Sequence, residues 1–258
     1  MKILIIGDIY GQPGKRMIQS YLPSLKQTLK PDIVIANAEN TSIGGKSLIK
    51  KDYDLLKAAG VDYFTMGNHT FKNREINDYI DDVPDLIRPA NWPGNVKGRG
   101  FLIFEYNNKK ILLLNLLGQS FMNIPGINPF TIADEILNNN KYDLAIVDYH
   151  AEATAEKIIV ANYLSKKVQI FFGTHTHVQT ADERILNKKT AYITDVGFTG
   201  VFDSAIGADF KAVTAKMKDD IKSKFIEAQG PVRLNAILVT LYDNTLKPYS
   251  IERIQFTP

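Results

Sequence analysis

The chain has 258 residues, of which 45% are hydrophobic and 23% are charged. This balance is typical of a globular protein with a sizeable core and argues against disorder. The net charge of +3 is small, and no basic tail or cluster indicates long nucleic acid as a partner. Since the chain has no cysteine, thiolate catalysis and cysteine-based zinc sites are excluded, and a reducing compartment is favoured.

The distribution of apolar residues bears on the cellular location. No apolar stretch approaches the length that spans a membrane, and the run before Gly7 is too short for the core of a signal peptide. We therefore expect a cytoplasmic protein with no membrane partner. The mild positive charge is compatible with a small anionic substrate. The sequence leaves open whether the chain forms a homo-oligomer.

Apolar runs of strand length alternate with helical periodicity in the first part of the chain. A strand is predicted over Lys2 to Ile6, and a helix over Gly11 to Lys30, where apolar residues recur at helical spacing. A strand over 32–36, a helix over 47–59 and a strand over 61–66 continue the pattern. Such β-α-β alternation predicts parallel strands with helices on the faces of the sheet.

The remaining chain predicts a second group of strands. Two strand-like runs, 101–106 and 109–117, are joined by two asparagines and predict a hairpin. Further strands are predicted at 142–150 and 168–173, on either side of a helix over 152–165. The last predicted elements are a charged helix over 209–228 and the strand-like runs KTAYITD, LNAILVTLYD and PYSIERIQF. Without a linker or repeat, we expect one domain over residues 1–258 that contains two sheets.

Seven polar side chains with metal-binding chemistry share one placement, at or just after the end of a strand-like apolar run. They are Asp8, Glu39, Asn40, His69, His150, His175 and His177. In open α/β sheets, ligands bind beyond the carboxyl ends of the strands. We therefore expect these side chains to converge on one point.

Each of these residues taken alone also has an ordinary structural explanation. Asp8 could cap a helix or a turn, Glu39-Asn40 could belong to a simple loop, and a lone His150 is usually a half-buried histidine. The pair His175-x-His177 is harder to explain in this way, because two imidazoles after a strand suit a transition metal. The whole set, at the ends of five predicted strands, favours a ligand site.

The size of the set indicates two metal ions, since one zinc or iron ion takes only about four to six ligands. Two ions about 3.5–4 Å apart are the usual arrangement for the hydrolysis of phosphate esters. The mixture of histidine, asparagine and carboxylate suits iron, manganese or zinc, and among these we expect iron or manganese.

Four motifs occur in the order found in calcineurin-like metallophosphoesterases: GD at 7–8, GNH at 67–69, His150 at a strand end and GTHTH at 173–177. The chain departs from the general pattern at Tyr10, where a histidine is expected, at AENTS in place of GDxxD, and at Thr70 in place of an acid. With these departures it resembles the YmdB-like phosphodiesterases, in which GD-x-x-G, AEN and GNHT are usual. The resemblance continues through RPANWPG and DVGFTG-x-x-DSAIG and covers nearly the whole chain.

This resemblance implies an α/β fold, namely a four-layer α/β/β/α sandwich of two mixed sheets, with a dinuclear metal site at one edge. Glu39 would bridge the two ions, and His69 would stay off them. The other ligands of the first ion would be Asp8, Asn40 and His177, and those of the second ion would be Asn68, His150 and His175.

The implied function is hydrolysis of a small phosphodiester, with 2′,3′-cyclic nucleotides as the expected substrates. In this scheme a hydroxide that bridges the ions attacks phosphorus, and His69 is the general acid for the departing ribose oxygen. Alternatively, His69 only orients Asn68 or Asp8. Rival functions are a phosphomonoesterase or short-RNA nuclease and, in a different class, a metal-bound sensor that binds a cyclic nucleotide without turnover.

Three other segments have weaker assignments. Asn91 and Trp92 are candidates for the substrate pocket, where the only tryptophan could stack on a base, although a structural loop is the more common role. The segment from Gly11 to Gly14 could offer backbone N–H groups to a phosphate or could be a simple strand-to-helix turn. The turn from Asp203 to Gly207 resembles a family motif but has no role that its residues explain.

Overall fold

The computed structural model describes residues 1–219 and 226–258. The first half contains β1 (Lys2–Ile6), β2 (Asp8–Ile9), α1 (Gly11–Leu29), β3 (Ile33–Asn37), α2 (Lys50–Ala58), β4 (Tyr63–Thr65), a 3₁₀ helix (Arg74–Asp78), β5 (Phe101–Tyr106) and β6 (Lys109–Leu117). The second half contains α3 (Pro129–Asn139), β7 (Leu144–His150), α4 (Thr154–Leu164), β8 (Ile170–Thr174), β9 (Arg184–Leu186), β10 (Thr190–Ile193), β11 (Phe198–Val201), α5 (Phe210–Asp219), β12 (Val232–Leu241) and β13 (Pro248–Phe256).

The strands of the described residues form two sheets, and both are mixed. The first sheet has the order β2-β11-β12-β1-β3-β4, with β13 also paired to β12. In it, β1 is parallel to β3 and antiparallel to β12. The second sheet has the order β5-β6-β7-β8-β10-β9. There β7 is parallel to β6 and β8, whereas β5 and β9 pair antiparallel at the two edges.

The alternation of side chains along each strand builds three apolar layers. In β1, Leu4 and Ile6 pack with the buried faces of α1 and α2. Ile3 and Ile5 point the other way and pack against the second sheet, because successive residues of a strand face opposite sides. The strand β6 repeats this pattern, with Ile111 and Leu113 between the sheets and Leu112 and Leu114 facing α3 and α4.

These three apolar layers separate four layers of secondary structure. The order is α1 and α2, the first sheet, the second sheet, and then α3 and α4. The expected α/β/β/α sandwich is thus confirmed. Burial on both faces explains why the central strands read as continuous apolar runs rather than as alternating ones.

The predicted hairpin is also confirmed, since β5 and β6 pair with Tyr106 opposite Lys109. Asn107 and Asn108 have φ angles of 49° and 59°. This left-handed conformation at both central residues is the one that a two-residue hairpin loop needs, and asparagine tolerates it better than most residues.

The predicted helix over 209–228 needs correction. Its first half is α5, which ends at Asp219, and residues 220–225 lie outside the described residues. The prediction is wrong for 226–228, because Glu227 pairs with Ala208 in an antiparallel bridge and Ala228 N donates to Gly207 O. Sequence reasoning had no prediction for α3, β9 and β11.

The topology brings the carboxyl ends of parallel strands from both sheets to one edge of the sandwich. The strands β1, β3 and β4 run in one direction in the first sheet, as do β6, β7 and β8 in the second. The loops that follow them carry the predicted ligands. In the part of the chain that the structure describes, no helix has the length and apolar character needed to cross a membrane.

Candidate metal centre

The seven predicted ligands lie close together at this edge. Asp8 opens β2 immediately after β1, Glu39 and Asn40 follow β3, Asn68 follows β4, His150 ends β7, and His175 and His177 follow β8. All are buried except His175, which is partly exposed. The structure therefore brings together side chains that are spread over about two thirds of the chain.

One group of ligand atoms surrounds Nε2 of His150. This nitrogen lies 3.0 Å from Asn68 Oδ1, 3.2 Å from Glu39 Oε1 and 3.0 Å from His175 Nδ1. Glu39, His150 and His175 bring potential metal-binding atoms within 4.8 Å of one another. A single ring N–H can serve only one of these neighbours well, whereas a cation can be shared by all of them.

A second group surrounds the side-chain amide of Asn40. Its Nδ2 lies 3.1 Å from Glu39 Oε1, 3.1 Å from His177 Nε2 and 3.4 Å from Asp8 Oδ1. Its Oδ1 faces His69 Nδ1 at 2.7 Å. Rotating the amide by half a turn exchanges the two atoms and directs Oδ1, the metal-binding atom, at the same three neighbours.

The ionisable side chains of the site shift one another's pKa values. Burial raises the pKa of Asp8, although the neighbouring His177 acts in the opposite direction. Burial would also raise the pKa of Glu39, but the charge and hydrogen bond of His150 hold it well below its usual range. Burial lowers the pKa of His150, yet Glu39 outweighs it and raises that pKa overall. The buried carboxylates thus need a positive partner.

In the metal-free protein a proton on His150 supplies this positive charge. Burial and the charge of His150 lower the pKa of His175 to about 3, so His175 is neutral near pH 7. A metal ion held by His150 would take the place of the proton, because a histidine ligand must be neutral. The carboxylates and neutral imidazoles therefore fit a metal ion, and the affinity should fall as the pH is lowered.

His150 is held by residues that sequence reasoning missed. Its Nδ1 lies 2.9 Å from Thr174 Oγ1, and that hydroxyl donates to Asp148 Oδ1 at 2.7 Å. Because the hydroxyl proton is used by Asp148, Thr174 accepts from Nδ1–H of His150, and Nε2 faces the ligand group. The sequence contains one signal for this support, since Asp148 is a carboxylate within the otherwise apolar and aromatic run of a buried strand.

The loop that carries the His-x-His pair has an unusual backbone. His175 and His177 have φ angles of 101° and 64°, which are uncommon for residues other than glycine. Asp195 fixes the loop by accepting from Thr176 N at 3.1 Å and from Thr176 Oγ1 at 2.8 Å. The fully buried Lys157 pairs with Asp195 at 2.7 Å and also donates to Thr174 O. This ion pair stabilises the strained loop.

The turn from Asp203 to Gly207 now has a structural role. The carbonyl oxygen of Ile206 accepts from Nδ1 of His177 at 2.9 Å. His177 therefore presents Nε2 to the group around Asn40. Ser204 Oγ accepts from Gly207 N at 2.7 Å and shapes the turn.

A cavity of about 430 Å³ opens beside the two ligand groups. Its wall includes Glu39, Asn40, His69, His175 and His177. His69 has a side chain that is 32% exposed, and its backbone N donates to Glu39 Oε2 at 2.7 Å. A larger cavity of about 650 Å³ lies at the amino ends of β3 and β4, and none of the predicted ligands lines it.

Asn91 and Trp92, the candidates for the substrate pocket, do not line the 430 Å³ cavity. The amide of Asn91 donates to Leu117 O at 2.7 Å and to Ile127 O at 2.8 Å, and its Oδ1 accepts from Leu117 N. Trp92 packs edge-on against Phe71, with ring centroids 5.0 Å apart. Their contacts account for them as parts of a structural loop.

The glycine segment from Gly11 to Gly14 forms the first turn of α1. Gly11 N donates to Asn40 O at 2.8 Å, Gln12 N donates to Glu227 Oε2 at 3.2 Å, and Gly14 N donates to Tyr10 O at 3.0 Å. These N–H groups are used within the protein, so they do not form the phosphate site considered from the sequence.

A substitution at Gly67 tests whether Glu39 and His150 lie where a metal ion needs them. A Cβ atom at this position would overlap His150 Nε2 and Glu39 Oε2. We expect Gly67→Ala to lower metal affinity by about 10–100-fold, as displaced supporting groups do at metal sites. Elemental analysis after equilibration with limiting metal measures this. The control is Gly94→Ala, which strains its own backbone at a φ of 83° but places no atom within 4 Å of another group, so it should keep wild-type metal affinity even if Tm falls. Wild-type affinity in Gly67→Ala would refute the proposed ligand position.

The fold and the convergence of histidines, asparagines and carboxylates at one sheet edge define a metallophosphoesterase architecture. The sequence profile described as YmdB-like protein matches residues 4–254, and the chain belongs to this family. The resemblance expected from the motifs is therefore confirmed.

Individual relatives agree with this placement. The chain is 43% identical over 256 residues to the 2′,3′-cyclic-nucleotide 2′-phosphodiesterase of Bacillus subtilis (strain 168), covering 98% of this chain and 96% of that protein. A crystal structure of a novel phosphatase from Mycoplasma pneumoniae has 39% identity and a TM-score of 0.94, covering 100% of this chain and 93% of that one. A hypothetical protein from Thermus thermophilus has 35% identity and a TM-score of 0.93, with coverage of 100% and 99%. The expected class of enzyme, a phosphoric ester hydrolase, is confirmed.

Proposed function

We propose that this protein hydrolyses 2′,3′-cyclic nucleotides at a site that holds two metal ions. The observation that carries the proposal is the position of Glu39 Oε1, which is 3.2 Å from His150 Nε2 in one ligand group and 3.1 Å from Asn40 Nδ2 in the other. One carboxylate oxygen shared by two groups is the arrangement that a bridging ligand requires. The name of the Bacillus subtilis relative supports the choice of substrate.

Each of the two ligand groups, one around Asn40 and one around His150, is assigned to one ion. Asp8, Asn40 and His177 would hold the first ion, Asn68, His150 and His175 would hold the second, and Glu39 would contact both. Bound ions would supply an activated water and positive charge opposite the phosphoryl oxygens. Iron or manganese is the proposed metal, and zinc fits the same donor set.

The cavity suits a nucleotide in size and charge. Its volume of about 430 Å³ is in the range of small-molecule sites. Its outer part carries the exposed residues Lys46 and Lys72. Their positive charges attract an anionic substrate to the cavity.

His69 is positioned to handle the proton of the departing oxygen. Its Nδ1 lies 2.7 Å from the side-chain amide of Asn40, which fixes the ring and leaves Nε2 to face the substrate. Burial lowers the pKa of His69, although Glu39 acts against this, so the imidazole is mainly neutral before substrate binds. The negative phosphate of a bound ester favours the protonated form, which carries an N–H at Nε2. That proton can pass to the ribose oxygen as the ester bond breaks.

The proposal is tested by a substrate panel with protein loaded separately with Mn²⁺, Fe²⁺ and Zn²⁺. We expect a 2′,3′-cyclic nucleotide to be hydrolysed with a higher kcat/KM than a nucleoside monophosphate or a short oligoribonucleotide. Product analysis shows which ester bond breaks. Preferred turnover of the monoester would indicate a phosphomonoesterase. Tight binding of the cyclic nucleotide without turnover under every metal would indicate a sensor and refute the proposal.

A further inference from the structure

Tyr10 is a buried polar residue in the wall of the cavity that the proposed reaction does not use. Its side chain is only 5% exposed, and it lines the cavity together with Asn40 and His177. Its hydroxyl is buried and has no hydrogen-bond partner among the described residues. A buried hydroxyl without a partner is unfavourable, so its retention beside a ligand site indicates a role in binding.

The ring of Tyr10 is held in a fixed position. A Cβ atom added at Gly45 would lie 2.6 to 2.9 Å from Cε2, Cζ and the hydroxyl oxygen, and one added at Gly207 would lie 2.6 to 2.7 Å from the opposite side of the ring. The rings of His177 and Phe198 meet it edge-on, at centroid distances of 5.7 and 6.4 Å. Backbone and aromatic rings therefore fix the ring, and the buried hydroxyl is its one polar atom without a described partner.

A nearby carboxylate does not satisfy this hydroxyl. Glu227 is close enough for its charge to act on Tyr10. However, its Oε1 accepts from Gly44 N at 2.9 Å and its Oε2 accepts from Gln12 N at 3.2 Å. The hydroxyl end of Tyr10 lies against Gly45, another residue of the cavity wall, and meets no acceptor in the part of the chain that the structure describes.

We propose that Tyr10 is a substrate-binding residue whose hydroxyl donates a hydrogen bond to a phosphoryl oxygen of the bound ester. This proposal rests on the proposed function of the site. The phosphoryl group is favoured over the sugar and the base because Tyr10 lies deep in the cavity, beside His177 and Asn40. The exposed rim, with Lys46 and Lys72, is left for the nucleoside.

The substitution Tyr10→Phe removes only the hydroxyl and keeps the enclosed ring. We expect kcat/KM to fall by roughly ten- to hundredfold, the usual effect of losing a hydrogen bond to a charged group. The loss should be similar for a 2′,3′-cyclic nucleotide and for bis(4-nitrophenyl) phosphate, because both offer phosphoryl oxygens. Calorimetric binding of inorganic phosphate to the metal-loaded protein should weaken by a similar factor.

Stability separates this role from a structural one. Since the hydroxyl has no partner among residues 1–219 and 226–258, Tyr10→Phe should keep its metal content and have an unchanged or higher Tm. The matched control is Thr199→Val, which removes another buried hydroxyl without a described partner, from a residue that does not line the cavity. This control should leave turnover and phosphate binding unchanged.

The proposal for Tyr10 is overturned if Tyr10→Phe binds phosphate and turns over both esters like the wild type. It is also overturned if Tm falls while phosphate binding is retained, or if only the cyclic nucleotide is affected, since the hydrogen bond would then go to the sugar. If the wild type hydrolyses neither ester, the proposed function is wrong. Phosphate calorimetry still decides the role of Tyr10 in that case.

Discussion

Replacing Glu39 with glutamine is expected to remove metal from both sites and to lower kcat/KM by at least about a hundredfold. Glutamine keeps the shape of the side chain but removes the charge that faces both ligand groups. Metal content by elemental mass spectrometry and turnover of a cyclic nucleotide, measured on the same sample, test this expectation.

His177→Ala provides the comparison for Glu39→Gln. Nε2 of His177 contacts the group around Asn40, and no contact links it to His150. Its loss should therefore weaken mainly one of the two ions. If Glu39→Gln keeps full metal and near-normal turnover, Glu39 is not the bridging ligand.

The substitution His69→Ala is expected to lower turnover of a cyclic nucleotide by about 10²–10⁴-fold, the usual contribution of a general acid. A ribose alkoxide is a poor leaving group and needs a proton, whereas a nitrophenolate departs with little help. The loss on bis(4-nitrophenyl) phosphate should therefore be much smaller. Steady-state kinetics on both substrates measure the difference.

Metal content is the control for His69→Ala. His69 contacts Asn40 and Glu39, which are both proposed ligands, so a supporting role predicts loss of metal. A general acid predicts two retained ions and a loss that depends on the leaving group. Equal losses on both substrates, or a loss of metal, would assign His69 to the support of the ligands.

The architecture was largely predictable because central strands buried on both faces leave clear apolar runs. The run KILII and the asparagine pair at 107–108 define their elements almost without context. The helix α3 was missed although it has a start signal, namely Asn128, whose side chain accepts from Phe130 N, followed by Pro129. The short strands β9 and β11 carry too few residues for a periodic signal, and pairing with neighbours decides their conformation.

The sequence predicts that the candidate ligands converge at one edge of the sheets, but it does not predict the residues that support them. A polar residue at a strand end is visible in the sequence, and topology brings such ends together. The support of these ligands depends on residues that are distant in sequence, as in the pair of Lys157 with Asp195. The contacts of Asn91 could not be predicted, because its side chain bonds to the backbone of Leu117, which is distant in sequence.

The central claim is that two metal ions share one site at the edge of the sandwich. Metal-stripped protein is titrated with Mn²⁺, and bound metal per chain is measured by elemental mass spectrometry together with turnover of a 2′,3′-cyclic nucleotide. The account predicts saturation at two ions per chain, with full turnover reached only as the second ion binds. Saturation at one ion per chain, or full turnover in the metal-stripped protein, would contradict it.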